Sequence, residues 1–100
     1  MSIKILATGS ALPEKSLSNI ELAEMVETND EWIRSRTGIS SRHVCVDETI
    51  SDLAASAAAK ALAKSGLDVG ESDLILCSTI SGDYTTPSLS CIVGLRLGAK

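Results

Sequence analysis

At 100 residues, 44% hydrophobic and 22% charged, the chain has the size and composition of one globular domain. Thirteen Asp and Glu against nine Lys and Arg leave a net charge of −4, which argues against general nucleic-acid binding, a task that needs a basic face to displace counterions. No apolar run reaches the length of a membrane span, and three cysteines in no CxxC or Cys/His pattern indicate no zinc site and a reduced, cytoplasmic setting.

In chain order, strand and helix signals alternate. With no Phe and a single Trp and Tyr, the core they build must be aliphatic. Residues 3–8 are apolar, partly β-branched and stopped by Gly9-Ser10, the pattern of a first strand. Residues 13–17 read as a connecting loop. Ser18-Asn19-Ile20-Glu21 has the form of a capping box and opens a short helix with Ile20, Leu22, Met25 and Val26 as its apolar positions. Thr28-Asn29-Asp30-Glu31 repeats the device, with Thr28 as the cap, and starts a second short helix that Gly38 stops. Residues 42–46 alternate well enough for a short edge strand.

The second half has clearer signals. Thr49 caps a helix running to about Ser65 and closed by Gly66, with Ile50, Leu53, Ala54, Ala57, Ala58, Ala61 and Leu62 on one face. Its alanines let a neighbouring backbone approach closely. After a loop at Gly70, residues 73–79 form a continuous apolar run, as expected of a parallel strand covered on both faces. Thr86-Pro87 looks like an N-cap followed by proline at the first helical position, with a helix to Leu97 closed by Gly98. Strand, helices, strand, helix makes the class α/β.

Residues 28–43 concentrate the chemistry. They hold the only Trp, the only His and three of the four Arg, and from Trp32 to Val46 this acidic chain has no Asp or Glu. An acid-free stretch around an indole suits an anion joined to a stacked ring, as in a nucleotide. Thr28, Trp32 and Arg36 are four residues apart and fall in one line on a helix. Against this, Trp32 with Arg36 stacked on it is also an ordinary packing pair, and on spacing alone packing has a slight edge. Cys91, placed beyond the first turn of its helix, reads as a small buried hydrophobe, and Cys45 and Cys77 as structural. His43 has no partner at readable spacing. Asp83 and Tyr84 follow the long apolar run, where α/β folds open pockets. Gly9-Ser10 is a turn and lacks the pattern of a phosphate loop. The residues alone present no catalytic set.

Thr28-Asn29-Asp30-Glu31-Trp32-Ile33, followed by Arg36-Thr37-Gly38-Ile39 and Arg42-His43, resembles the N-terminal signature of β-ketoacyl-acyl-carrier-protein synthase III. Thr8-Gly9-Ser10 with Leu12-Pro13, Asn19 with Leu22 and Met25-Val26, Glu48-Thr49, and Pro87-Ser88 with Cys91 and Leu97-Gly98 extend the resemblance over essentially the whole chain. The resemblance implies a thiolase-like layered αβαβα fold, of which residues 1–100 would be an incomplete N-terminal half-domain. It implies a cytoplasmic homodimer that condenses a short acyl-CoA primer with malonyl-acyl-carrier protein to begin fatty acid synthesis. Acyl-CoA is then a substrate, with no permanently bound cofactor, no metal, no nucleic acid and no membrane. The residues matching Trp32 and Arg36 face the CoA nucleotide, with those matching Thr28 and Thr37 nearby.

The family uses a cysteine nucleophile with a His and an Asn that stabilise the carbanion. None of the three has a counterpart in this chain, since Cys91 matches a non-catalytic position, so the expectation is a fragment without condensing activity of its own. Thr86 stands where many relatives carry a larger apolar residue, which leaves the primer open. The alternatives are another thiolase-superfamily condensing enzyme, of polyketide or quinolone type, and a non-catalytic CoA-binding or interaction module.

Overall fold

Two polar strands and two short helices make up Leu12–Asp47, the first of two compact units in this computed structural model, which describes residues 1–99. β1 (Lys15–Ser18) pairs antiparallel with β2 (Ser41–Val44), Lys15 opposite Val44 and Ser18 opposite Ser41. The sequence pointed to a loop over 13–17. Lys-Ser-Leu-Ser has no strand-like apolar alternation, and only its partner makes it a strand.

α1 (Asn19–Ala23) opens with the expected capping box: the Ser18 hydroxyl accepts from the Glu21 N–H at 3.2 Å and the Glu21 carboxylate accepts from the Ser18 N–H at 2.8 Å. It is shorter than expected, leaving Met25 and Val26 beyond its end and exposed. α2 (Asp30–Thr37) is capped by Asn29, whose side chain accepts from the Trp32 N–H at 2.8 Å. Thr28, expected in that role, stands just outside the helix; of two adjacent candidates the asparagine is the better cap. Gly38 ends α2 at φ 72°, a left-handed conformation that suits glycine.

The second unit comprises Met1–Ala11 and the chain from Glu48 onward. α3 (Ile50–Ser65) begins and ends where the sequence places it, with Thr49 and Asp52 forming a second capping box. All seven positions expected on its packing face are partly buried, while Asp52, Ser56, Lys60 and Lys64 are exposed. The close approach expected of its alanines is made by Gly9: a Cβ there would overlap the Ala57 carbonyl and lie 2.7 Å from the Ala61 nitrogen. A 3₁₀ turn, Val69–Glu71, occupies the expected loop. α4 (Leu89–Leu97) packs along α3 and carries Val93, 2% exposed. Its cap is Ser88 and not Thr86, so the helix starts two residues late and Pro87 lies outside it. Among the described residues no helix is long and apolar enough to cross a membrane.

Residues 3–8 and 73–79 do not form the strands expected of them. Neither segment makes a backbone hydrogen bond to a neighbour among the described residues. Ile5 is 81% exposed, and Leu76, expected to be covered on both faces, is 84% exposed. The physical reason is that a strand exists only through pairing; apolar sequence states what a segment is suited to bury, while the ladder needs a partner.

Candidate functional site

The first unit brings Thr28, Trp32 and Arg36 together, though not as one helical line. Trp32 lies on the first turn of α2, 52% exposed, and the Arg36 guanidinium sits over its ring at 3.5 Å from the centroid. Thr28 comes from the segment before the helix and joins Glu27, Asn29 and Trp32 around a hollow of about 230 Å³. Glu27 makes that wall acidic, while the Arg36 side of the indole is positively charged.

The three arginines of the acid-free stretch have different tasks. Arg34 pairs with Asp30 one turn earlier, Nε to carboxylate 3.2 Å. Arg42 donates to the Leu17 carbonyl at 3.1 Å and to the Asn19 side chain. Arg36 has no ion pair or hydrogen bond among the described residues, and its guanidinium edge stays open while its face rests on Trp32. A flat ring with an unpaired guanidinium beside it can hold a stacked base and an attached phosphate. Thr37, the last residue of α2, donates its hydroxyl proton to the Ile33 carbonyl at 2.7 Å and accepts from the Ile39 N–H at 3.1 Å. Its proton serves the turn that ends the helix.

Sequence reasoning missed Asn19, which is 1% exposed and ties α1 to both ends of α2 and to β2. Its only local signal was membership of a capping box. Asp83, expected to line a pocket, instead accepts from the Ile50 and Ser51 N–H groups at 3.0 and 2.9 Å and so closes the start of α3. Hydrogen bonds from Ser51 and Ile50 hold its carboxyl below the usual range. Tyr84 lines a hollow of about 480 Å³ with Cys77, Thr79 and Ser88.

The cysteines differ from expectation as well. Cys91 is exposed and is the third residue of α4, because the helix starts at Leu89. Its sulfur accepts from the Ser88 hydroxyl at 3.2 Å. Cys45 is exposed and Cys77 partly buried. His43 meets the Pro13 carbonyl at 2.7 Å. No cysteine is bonded to a basic side chain among the described residues.

No protein-family model matches the sequence. The chain is 46% identical, over 99% of its length, to the β-ketoacyl-[acyl-carrier-protein] synthase III of Clostridium acetobutylicum, of which it covers 30%. It matches the crystal structure of 3-oxoacyl-[acyl-carrier-protein] synthase III from Aquifex aeolicus with a TM-score of 0.91 and 42% identity, over 97% of this chain and 32% of that one. The priming β-ketosynthase of the R1128 polyketide pathway matches with a TM-score of 0.88 and 37% identity, over 97% of this chain and 30% of that one. The chain therefore spans about 30% of the length of the curated relatives it matches.

Proposed function

We propose that this chain, which belongs to the β-ketoacyl-[acyl-carrier-protein] synthase III family over the part of that protein it spans, carries the doorway where such a synthase takes the nucleotide of its acyl-CoA primer. It is an α/β part of the thiolase-like fold of these enzymes. The parent reaction is acyl transfer: a short acyl-CoA primer is condensed with malonyl-acyl-carrier protein, CO₂ leaves, and fatty acid synthesis begins. Acyl-CoA acts as a substrate, and no cofactor is held between turnovers. The working enzyme is a cytoplasmic homodimer.

Trp32 stacks the base, Arg36 meets a phosphate, Thr28 lines the hollow beside the ring, and Thr37 holds the turn behind Arg36. The observation that carries this proposal is that Arg36 lies over Trp32 with its edge open, while Arg34 and Arg42 are committed elsewhere. The chain alone is expected to have no condensing activity, since among the described residues no cysteine is paired with a base.

Replacing Trp32 with Ala in the synthase that carries this segment should raise KM for acyl-CoA about tenfold with kcat unchanged, the pattern of lost uniform binding. An unchanged KM, or a loss of stability in its place, would return the pair to packing. The likeness to the R1128 priming ketosynthase supports a second reading, a polyketide-priming enzyme with the same CoA face. Which carrier protein's malonyl group is accepted separates the two.

A further inference from the structure

We infer that Asn19 is the positioning residue of the Trp32–Arg36 platform, a clamp that fixes both ends of α2; this rests on the nucleotide-binding reading above. α2 has eight residues and buries none of them. A helix that short is marginal in water, and of its two apolar side chains only Ile33 is even partly buried. Something else must set where its indole and guanidinium point. The Asn19 side-chain amide donates one proton to the Asp30 carboxylate at 2.8 Å, at the first residue of α2, and the other to the Ile39 carbonyl at 2.7 Å, just past Gly38. Its backbone N–H donates to the Ser40 carbonyl at 3.0 Å, and its side-chain oxygen accepts from Arg42 of β2.

Only a primary amide supplies two donors and an acceptor in this arrangement. Two acceptors face the nitrogen and a guanidinium faces the oxygen, so the orientation of the amide is fixed. Asp30 passes the restraint on, because its carboxylate also holds Arg34 at 3.2 Å. That pairing occupies Arg34 and leaves Arg36 as the open cation over the ring.

The charged groups facing this centre are Asp30 and Arg34 from α2 and Arg42 from β2. Asn19→Asp keeps the shape and the Arg42 contact but sets an oxygen against the Asp30 carboxylate and the Ile39 carbonyl. Two carboxylates so placed share a proton at low pH, and the shared proton restores one arm of the clamp.

The experiment measures KM for acyl-CoA in the synthase carrying this segment, for Asn19→Asp, Asp30→Ala and Trp32→Ala. At neutral pH, Asn19→Asp should raise KM about tenfold with kcat retained, as a loss of binding without loss of chemistry. That defect should shrink as the pH is lowered, while the effect of Trp32→Ala stays constant. Asp30→Ala, at a partly exposed site, should raise KM about threefold by removing one arm. If Asn19→Asp does not fold, the Asp30→Ala result decides. If Trp32→Ala raises KM but neither clamp variant does, or if the Asn19→Asp defect ignores pH, the clamp is overturned and the nucleotide site stands. If Trp32→Ala leaves KM unchanged, the nucleotide site fails and the clamp fails with it.

Discussion

Asp52 and Asp83 show how a single carboxylate changes meaning once its neighbours are known. The Thr49 N–H and then the Arg96 guanidinium lower the Asp52 pKa from 3.8 to about 2. Asp83, also lowered, closes the Ile50 and Ser51 amides, so that with Thr49 the whole first turn of α3 is satisfied. Both folded-state values lie below the ordinary one. The contribution of Asp52 to stability is therefore complete above pH 3.8 and disappears as the pH falls toward about 2, and that of Asp83 is lost in the same direction, as the pH falls. Thermal unfolding measured through that range should show a steep loss of midpoint in the wild type and a shallower one in an Asp52→Asn, Asp83→Asn double variant. Equal slopes would mean that these carboxylates do not hold α3. At this scale the Trp32 and Arg36 spacing was legible, since both lie on one short helix. Which arginine stays open was not legible, because Arg42 is engaged by Leu17 and Asn19 from distant parts of the chain.

Elements were legible in proportion to how locally their hydrogen bonds close. α3 was read to its ends because Thr49, Asp52 and Gly66 act within a few residues of what they cap. Adjacent cap candidates were harder. Asn29 displaced Thr28 and Ser88 displaced Thr86, which moved Thr28 off its helix and brought Cys91 into the first turn. Two glycines test what the backbone requires. Gly38→Ala meets no neighbour and suffers only the left-handed strain at φ 72°, a loss of about 1 kcal/mol. Gly9→Ala drives a methyl into the backbone of α3 and should cost about 2–3 kcal/mol. Urea denaturation ranks the two, and the reverse order would show that Gly9 does not lie tight against Ala57 and Ala61.

For the molecule as a whole, the chain covers about 30% of its curated relatives, and its longest apolar segments are uncovered. Residues 4–7 with Leu74 and Ile75 line an open groove of about 440 Å³ over Ala58, Leu62 and Val93. Exposed apolar surface beside unpaired backbone invites association. The 100-residue chain by itself should bind a hydrophobic dye and sediment as a concentration-dependent mixture. A single monomeric species without dye binding would show that these segments find cover in solution.

By itself the sequence determined α3 to its ends, the presence of the other helices, the left-handed glycine stops and the face that carries Trp32 and Arg36, because each is written in residues close together in the chain. Only the tertiary structure decided the β1–β2 pair, the unpaired state of residues 3–8 and 73–79, the engagement of Arg34 and Arg42, and the burial of Asn19 between both ends of α2. Most of these depend on a partner many residues away. Sequence shows that a donor or an apolar face exists, and folding alone shows what answers it.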